Sequence, residues 1–238
     1  MYVSAEANAK LLAVGQDAAG RVGRRYSAKF ISEKAGKKFV RVQGFTKKMP
    51  QIRKRMYTDI MSGRSEAYVL RLEDATAIRV GSLKDTKAVK QAFGLTTLQG
   101  KHVQVRGDKI FLDFTAKKGV HYHREFSDKT LARFLGDRKK AAGTTGLLFP
   151  DVQAAKLNGY LKEISGGPYS VKDFRTYHAT RISYNKLKPF EGMPLSAVAK
   201  KNLVKEVSGE ASRFLGNTPA ICKSSYIDPM VWQLIGGI

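Results

Sequence analysis

The sequence predicts an α+β fold, in which a mostly helical domain contains a small three-stranded antiparallel sheet and follows an N-terminal β-hairpin. From about residue 45 onward, most apolar residues recur at the spacing of amphipathic helices. Residues 102–126 alternate instead between apolar and polar side chains, which is the period of a half-buried strand. The first 30 residues contain strand-like segments that are joined by a turn.

The N-terminal segment has the pattern of a β-hairpin. Residues 11–14 and 24–26 are the predicted strands, and residues 17–20 are the predicted turn. Two or three strands bury too little surface to be stable alone, so we expect them to pack on other structure. We therefore predict two parts: residues 1–30, a small β segment, and residues 31–238, the main domain.

The helical part opens with a basic amphipathic segment. Ile52, Met56 and Ile60 fall four residues apart, with Arg and Lys between them, as on the apolar face of a helix. A second helix is predicted from Ser65 to Ile78, because its apolar residues keep the helical period. This helix would carry Arg79 at its end, where Val80 and Gly81 break the period.

The alternating region predicts a three-stranded meander. Its strands would contain residues 103–105, 110–114 and 120–124, with turns at residues 106–108 and 116–119. Each turn contains a glycine, which adopts the positive φ that tight turns require. Lys117 should therefore lie at the tip of the second hairpin.

Capping residues predict where the later helices begin and end. Helices are expected to start at Ser127 and at Asp151, and residues 170–173 have a capping-box pattern. The last pattern places Arg175 in the early turns of the helix that follows.

Two more helices complete the predicted chain. One starts at Pro194 and is ended by Gly216. Proline is favoured in the first turn of a helix, so residues 218–219 should start a short last helix that carries Tyr226.

The composition indicates a polyanionic partner. The 238 residues include 43 Lys and Arg against 20 Asp and Glu, a formal net charge of +23. Such an excess destabilises a compact protein by self-repulsion, and the DNA backbone is the commonest partner that explains it. The hydrophobic content of 42% supports a packed core and excludes a wholly disordered chain. No apolar run approaches the roughly 18 residues of a membrane span, and no signal peptide opens the chain.

Few residues suggest a metal or redox centre. Cys222 is the single cysteine, which excludes an internal disulfide framework and an all-Cys metal site. His121 and His123 alternate on one strand face, but a zinc site needs further ligands that no nearby cluster supplies. We interpret this pair as structural or DNA-facing, and Cys222 as helix packing.

Metal-free cleavage of a phosphodiester needs three kinds of side chain. A covalent nucleophile keeps the bond energy for resealing, and arginines neutralise the charge on the non-bridging oxygens. A lysine can protonate the leaving oxygen. These residue types occur here at predicted element ends, but pattern alone cannot select them among 43 basic residues and 10 tyrosines.

Four sequence blocks stand out: residues 78–81 together with 94–98, residues 114–119, residues 172–177, and residues 215–219 together with 223–229. In order and spacing these blocks resemble those of the type IB DNA topoisomerases of poxviruses and bacteria. The resemblance extends from about residue 1 to residue 230.

The resemblance implies a role for each of five residues. Tyr226 would attack the phosphate and hold a 3′-phosphotyrosine, while Arg79 and Arg175 would bind the non-bridging oxygens. Lys117 would protonate the departing 5′ oxygen. Asn217 stands where poxvirus enzymes have histidine, and an amide can donate a hydrogen bond but cannot titrate.

The N-terminal part departs from the family pattern. Relatives carry a longer β domain that closes over the other side of the duplex, so we interpret residues 1–30 as a remnant of that DNA clamp and residues 31–238 as the catalytic domain. Arg24 and Tyr26 are the candidate DNA-binding residues. Tyr26 matches the family's DNA-contacting segment, whereas Gly23 and Arg24 do not.

The predicted function is relaxation of supercoiled DNA by transient single-strand cleavage and religation. The resemblance implies that the reaction needs no ATP, no metal and no small-molecule cofactor. We expect the protein to be a monomer whose partner is double-stranded DNA and not a membrane. We expect an intracellular, DNA-associated location, either bacterial (cytoplasm or nucleoid) or viral.

Two other functions remain open. A tyrosine recombinase has a similar fold and nucleophile, but recombinases usually have histidine three residues before the second arginine, where this chain has Lys172. A DNA-binding protein that kept the fold without the activity is the other alternative. Plasmid relaxation distinguishes all three.

Overall fold

The structure is a computed structural model that describes residues 1–6, 9–18 and 20–237. Its contacts divide the chain into two compact units, residues 1–44 and residues 45–238. The boundary that the sequence predicts after residue 30 stays a prediction. Within the described residues, no helix is both long enough and apolar enough to cross a membrane.

The first unit contains an antiparallel sheet in the order β1-β2-β3. Its strands are β1 (Tyr2–Val3), β2 (Leu11–Gln16) and β3 (Val22–Tyr26). The predicted hairpin is thus confirmed, with a short extra strand at its edge. The backbone N–H of Asp17 donates to the carbonyl of Arg21 at 3.0 Å across the turn, and Ala19 of the predicted turn lies outside the described residues.

Helix α1 (Ala28–Met61) is longer than predicted. The sequence indicated helical spacing only from about residue 45, whereas the helix begins 17 residues earlier. Residues 31–38 are mostly exposed, and a helical segment that buries few side chains shows no apolar stripe.

The second unit is mostly helical and contains one antiparallel sheet in the order β4-β5-β6. The strands are β4 (Val103–Arg106), β5 (Lys109–Ala116) and β6 (Val120–Ser127). The helices are α2 (Ser65–Thr76), α3 (Leu83–Thr86), α4 (Lys129–Ala142), α5 (Ala154–Ser165), α6 (Lys172–Leu187), α7 (Ala197–Leu215) and α8 (Pro219–Ser225). Together the two sheets and these helices confirm the α+β class.

The C-terminal part of this unit has its own apolar core. Buried side chains of α6 and α7 pack with those of the 3-10 helix Pro229–Ile235, which the sequence did not predict. Val207 and Ile227 are fully buried here, and Trp232 is nearly so. This core fixes α8, which lies between α7 and the 3-10 helix in sequence.

Several predicted helix boundaries are wrong by a few residues. Helix α2 ends at Thr76, not at Ile78, because Ala77 adopts a left-handed conformation. Helix α5 begins at Ala154, because the carboxylate of Asp151 instead accepts two hydrogen bonds from Arg138.

Three other boundaries differ by one to three residues. Asp128 caps α4, since its carboxylate accepts from the N–H of Leu131 at 3.0 Å, whereas Ser127 ends β6. Ser196, rather than Pro194, caps α7. Tyr226 does not lie within α8 but follows its last residue.

Candidate active site

Four elements of the second unit bring their ends to one small cavity. Its lining includes Arg79 after α2, Lys117 between β5 and β6, Arg175 in α6, and Gly216 after α7. The structure thus brings together three of the predicted cationic residues. Tyr226 joins them through Arg175, whose guanidinium carbon lies 5.0 Å from the centre of the tyrosine ring.

Arg175 is the most buried of these cations, with 2% of its surface exposed. It lies in the first turn of α6, as predicted, and the Asp173 carboxylate at the same end accepts from the N–H of Ser170 at 2.9 Å. The Arg175 guanidinium donates to the carbonyl of Ala77 and, at 2.9 Å, to the carbonyl of Leu215. The two carbonyls lie at the C-terminal ends of α2 and α7, where helix dipoles favour a positive charge.

Ala77 directs one of those carbonyls through an unusual backbone conformation. Its φ of 51° and ψ of 35° are left-handed, a region that residues other than glycine seldom adopt. The Ala77 N–H closes the helix end on the carbonyl of Glu73 at 2.7 Å. Such strain persists where the surrounding contacts determine the backbone, and here it turns the chain toward Arg175.

Tyr226 is mostly buried beside several cationic side chains. It is 8% exposed, and its carbonyl accepts from the hydroxyl of Thr180 at 3.2 Å. Burial alone would raise the pKa of the Tyr226 hydroxyl, but the positive charges of Arg175, Arg79 and Lys172 outweigh burial and lower that pKa. A lowered pKa increases the fraction of phenolate, which is the more nucleophilic form of a phenol.

Arg79 and Asn217 form a polar pair. Nη2 of Arg79 donates to Oδ1 of Asn217 at 2.6 Å. The amide nitrogen of Asn217 is buried and has no hydrogen-bond partner within the described part of the chain. A buried unpaired donor costs about 1–3 kcal/mol. Arg79 itself lies three residues past the end of α2, in a segment without regular secondary structure, and not at the helix end.

Backbone hydrogen bonds join the two stretches of the first sequence block, residues 78–81 and residues 94–98. The N–H of Leu95 donates to the carbonyl of Arg79, and that of Thr96 to the carbonyl of Val80, both at 2.8 Å. At Gly94 a side chain would collide with the Arg79 carbonyl and with the backbone of Gly81. The absence of a side chain at Gly94 therefore allows the two stretches to pack directly against each other.

Lys117 is held far more loosely. It lies at the tip of the β5–β6 hairpin, as predicted, and Lys118 and Gly119 form the turn with φ of 67° and 73°. Its side chain is 60% exposed, and Nζ lies 3.7 Å from the carboxylate of Asp85 on α3. Among the described residues, the ion pair found for Lys117 is this solvent-exposed contact with Asp85.

Sequence reasoning missed Glu73, which is fully buried in α2. Burial raises the pKa of the Glu73 carboxyl well above its usual range, although the positive charge of Arg175 opposes that shift. A signal was present, because Glu73 follows Val69 and Leu70 by four and three residues and so shares their apolar helix face. Charged residues are almost never fully buried without a partner.

The remaining candidates lie outside this site. Arg24 and Tyr26 are on β3 in the first unit, where both are exposed and the Tyr26 ring lies 5.2 Å from that of Phe30. Their DNA-binding role stays a prediction.

His121 and His123 both hydrogen-bond to the carboxylate of Asp113, at 2.8 and 3.1 Å. Among the described residues, no group of three or more His, Cys, Asp or Glu side chains is arranged to hold a metal ion. Cys222 is fully buried, and burial raises its pKa to about 11. It packs in the C-terminal core, as the sequence indicated.

Comparison with known proteins agrees with this geometry. Residues 27–231 match the family model described as eukaryotic DNA topoisomerase I, catalytic core. The chain is 26% identical to DNA topoisomerase 1B of Acanthamoeba polyphaga mimivirus over 248 residues, which cover 95% of this chain and 73% of that protein. It is also 26% identical to DNA topoisomerase I of Monkeypox virus over 242 residues, or 97% of this chain and 74% of the viral one.

Cellular relatives match a shorter part of the chain. DNA topoisomerase 1 of Caenorhabditis elegans is 27% identical over 172 residues, which cover 65% of this chain and 21% of that protein. The family match spans most of the chain and includes all five residues of the candidate site. The chain therefore belongs to the DNA topoisomerase I family and is a type IB enzyme.

Proposed function

We propose that this enzyme relaxes supercoiled double-stranded DNA by cleaving and resealing one strand through Tyr226. The observation that carries the proposal is the position of the buried Arg175 guanidinium, 5.0 Å from the Tyr226 ring. One cation thereby lies next to both the nucleophile and the place where a phosphate would be attacked. The excess positive charge of the chain supplies the long-range attraction to DNA.

Cleavage begins with attack on phosphorus. The Tyr226 hydroxyl loses its proton to solvent, and the phenolate oxygen forms a bond to phosphorus while the bond to the 5′ oxygen breaks. Arg175 and Arg79 neutralise the charge that develops on the non-bridging oxygens, and the unpaired amide of Asn217 donates one more hydrogen bond. The product is a 3′-phosphotyrosine.

The leaving 5′ oxygen needs a proton, and Lys117 is the proposed donor. An ammonium group on an exposed hairpin can reach a strand that enters the site. The broken strand then rotates around the intact one, and the same residues catalyse the reverse step. Because the phosphotyrosine keeps the bond energy, resealing requires neither ATP nor metal in this proposal.

We also propose that residues 1–30 contact DNA through Arg24 and Tyr26, and that residues 31–238 form the catalytic domain. A monomer suffices, since one chain carries all five proposed catalytic residues. An exposed arginine contacts phosphates well, and an exposed tyrosine offers both a stacking face and a hydroxyl.

Plasmid relaxation tests the function and separates it from both alternatives. The enzyme should relax a single supercoiled plasmid in EDTA without ATP. A recombinase would require paired recombination sites, and a DNA-binding protein would leave the linking number unchanged.

Tyr226→Phe removes only the nucleophilic oxygen, and it should abolish relaxation while leaving DNA binding nearly unchanged. Tyr57→Phe is the matched control, because Tyr57 is 60% exposed on α1. Relaxation by Tyr226→Phe at the parent rate would refute the assignment.

A further inference from the structure

His178 is a buried histidine on the same helix as Arg175. It is 9% exposed and lies three residues after Arg175 in α6. Residues three apart are neighbours on one face of a helix, so both side chains can contact the same neighbouring helices. The reaction proposed above does not use His178, and its burial therefore needs another explanation.

Arg175 and His178 bind the end of α2 side by side. The Arg175 guanidinium donates to the carbonyl of Ala77, just after α2. Nε2 of His178 lies 3.0 Å from Oδ1 of Asp74, in the last turn of α2. Asp74 precedes Ala77 by three residues, just as Arg175 precedes His178. The two contacts thus lie one helical turn apart on each helix.

The same two side chains also contact the end of α7. The Arg175 guanidinium donates to the carbonyl of Leu215 at 2.9 Å. The His178 ring packs on that of Phe214, the residue before Leu215, with 5.2 Å between the ring centres. Phe214 is held by Arg124 of β6, whose Nη2 donates to the Phe214 carbonyl at 2.7 Å. His178 therefore contacts both helices whose terminal carbonyls bind the guanidinium.

Asp74 is a firm partner for His178. Its carboxylate also accepts from Nε and Nη2 of Arg53 on α1, at 2.8 and 3.1 Å. Burial would raise the pKa of the Asp74 carboxyl, but the hydrogen bonds from His178 and Arg53 outweigh burial and lower that pKa. An ionised carboxylate only accepts, so we assign the hydrogen to Nε2 of His178. Hydrogen bonds to an ionised group are roughly twice as strong as neutral ones.

We propose that the His178–Asp74 pair positions Arg175 for the reaction. The pair would hold the ends of α2 and α7 at the spacing at which the carbonyls of Ala77 and Leu215 can bind the guanidinium together. The proposal rests on the role of Arg175 that is proposed above. His178 and Asp74 are positioning residues in it, because they act through Arg175 rather than on the phosphate.

The expected effect follows from the geometry of Arg175. Its two carbonyl partners belong to helices from distant parts of the chain, and a long side chain with several rotatable bonds cannot fix their spacing alone. If one carbonyl moves away, the guanidinium loses its orientation beside Tyr226, where it lies 5.0 Å from the ring centre. A displacement of about 1 Å from reactive geometry can slow a reaction by about 10²-fold.

Two substitutions separate the hydrogen bond of His178 from its ring. His178→Phe keeps a ring against Phe214 but cannot donate to Asp74, whereas His178→Gln supplies an amide N–H near the position of Nε2. We expect His178→Phe to slow single-turnover cleavage by about 10–100-fold, and His178→Gln to recover most of that loss. A folded His178→Phe protein that cleaves at the parent rate would overturn the proposal.

DNA affinity should respond far less than the cleavage rate. Many basic residues share the binding of the DNA backbone, so the Kd of His178→Phe should change by less than about threefold. Binding is measured in proteins that also carry Tyr226→Phe, which cannot cleave. A loss of affinity as large as the loss of rate would overturn the proposal, because the pair would then support binding in general.

A double-mutant cycle shows whether His178 acts through Arg175. In the Arg175→Ala background there is no guanidinium to position, so adding His178→Phe should slow cleavage by less than about twofold more. The rates are measured on a duplex that cannot religate. If His178→Phe slows cleavage by the same factor in both backgrounds, the proposal is overturned, since His178 would act on another part of the site.

Asp74→Asn is the second variant, and it serves if His178→Phe does not fold. It keeps the shape of the carboxyl group but weakens its charge-assisted bonds, and it should slow cleavage by about tenfold. Asp59→Asn is the matched control, since Asp59 is also buried and bonded to an arginine and to a tyrosine hydroxyl. Its rate should stay near that of the parent. Equal losses in the two variants would overturn the proposal.

The proposed function can fail separately. If Tyr226→Phe still cleaves DNA, the nucleophile assignment is wrong, whatever the cycle gives. If Tyr226→Phe is inactive and Arg175→Ala is slow, but folded His178→Phe and Asp74→Asn cleave at the parent rate, only the positioning role is wrong.

Discussion

The two sides of the candidate site are built differently. On one side Arg175 and Tyr226 are 2% and 8% exposed, and carbonyls at the ends of two helices hold the guanidinium. On the other side the Lys117 side chain is 60% exposed at a hairpin tip, and its Nζ lies 3.7 Å from the carboxylate of Asp85. The first side is fixed by the core, whereas the second can move with its hairpin.

This difference separates two parts of the chemistry. Groups that stabilise a transition state work best when they need no rearrangement during the reaction, and the buried side meets that condition before DNA arrives. A proton donor has only to reach the leaving oxygen once the strand is bound. We therefore expect Tyr226 and the phosphate-binding Arg175 to be in position before DNA binds. We expect Lys117, the proposed acid, to be positioned by the bound DNA.

The largest effect should come from the buried side. Arg175→Ala should slow single-turnover cleavage by about 10³–10⁵-fold, the range for losing an arginine that neutralises a phosphoryl transition state. Arg175→Lys should recover little, because an ammonium group cannot reach two helix-end carbonyls and a phosphate together. Arg181→Ala, which changes an exposed arginine on the same helix, is the control. A loss below tenfold in Arg175→Ala would show that the buried arginine is structural.

A smaller and chemically distinct loss is expected on the exposed side. Lys117→Ala should slow cleavage by about 10²–10⁴-fold, which is usual for removing a general acid. A substrate with sulfur at the 5′ bridging position should largely restore the rate, since a thiolate leaves without a proton. The same substrate should not rescue Arg175→Ala. Absence of rescue in Lys117→Ala would assign Lys117 to positioning rather than to proton transfer.

The smallest effect should come from the resting partner of Lys117. Asp85→Asn removes one exposed ion pair, which is worth about 0–1 kcal/mol, so the cleavage rate should change by less than about fivefold. Asp137→Asn, on α4, is a suitable control for the general loss of a surface carboxylate. A loss as large as that of Lys117→Ala would mean that Asp85 holds the acid in its working position.

The sequence predicted local features of this site better than long-range ones. The sequence predicts the position of Lys117 at a hairpin tip, because neighbouring residues encode alternating strands and turn glycines. It does not predict the position of Arg79, because the left-handed residue that ends α2 is an alanine, Ala77, which gives no turn signal. The burial of Glu73 arises from tertiary contacts, which a single charged residue on an apolar helix face does not reveal.

The five site residues were selected by resemblance, not by pattern. Nothing local distinguishes Tyr226 from nine other tyrosines. Tyr226 differs from the others because the guanidinium carbon of Arg175 lies 5.0 Å from the centre of its ring. Arg175 is 51 positions earlier in the chain. Proximity of that kind is a property of the folded chain, so composition and periodicity cannot supply it.

The most direct test of the central claim is to trap the covalent intermediate and identify both of its ends. A duplex whose cleaved strand loses its 5′ fragment prevents religation, and the adduct is then digested and sequenced by mass spectrometry. The account predicts one modified residue, Tyr226, joined to the 3′ phosphate of the DNA. An adduct on another residue, or a link to a 5′ phosphate, would contradict it.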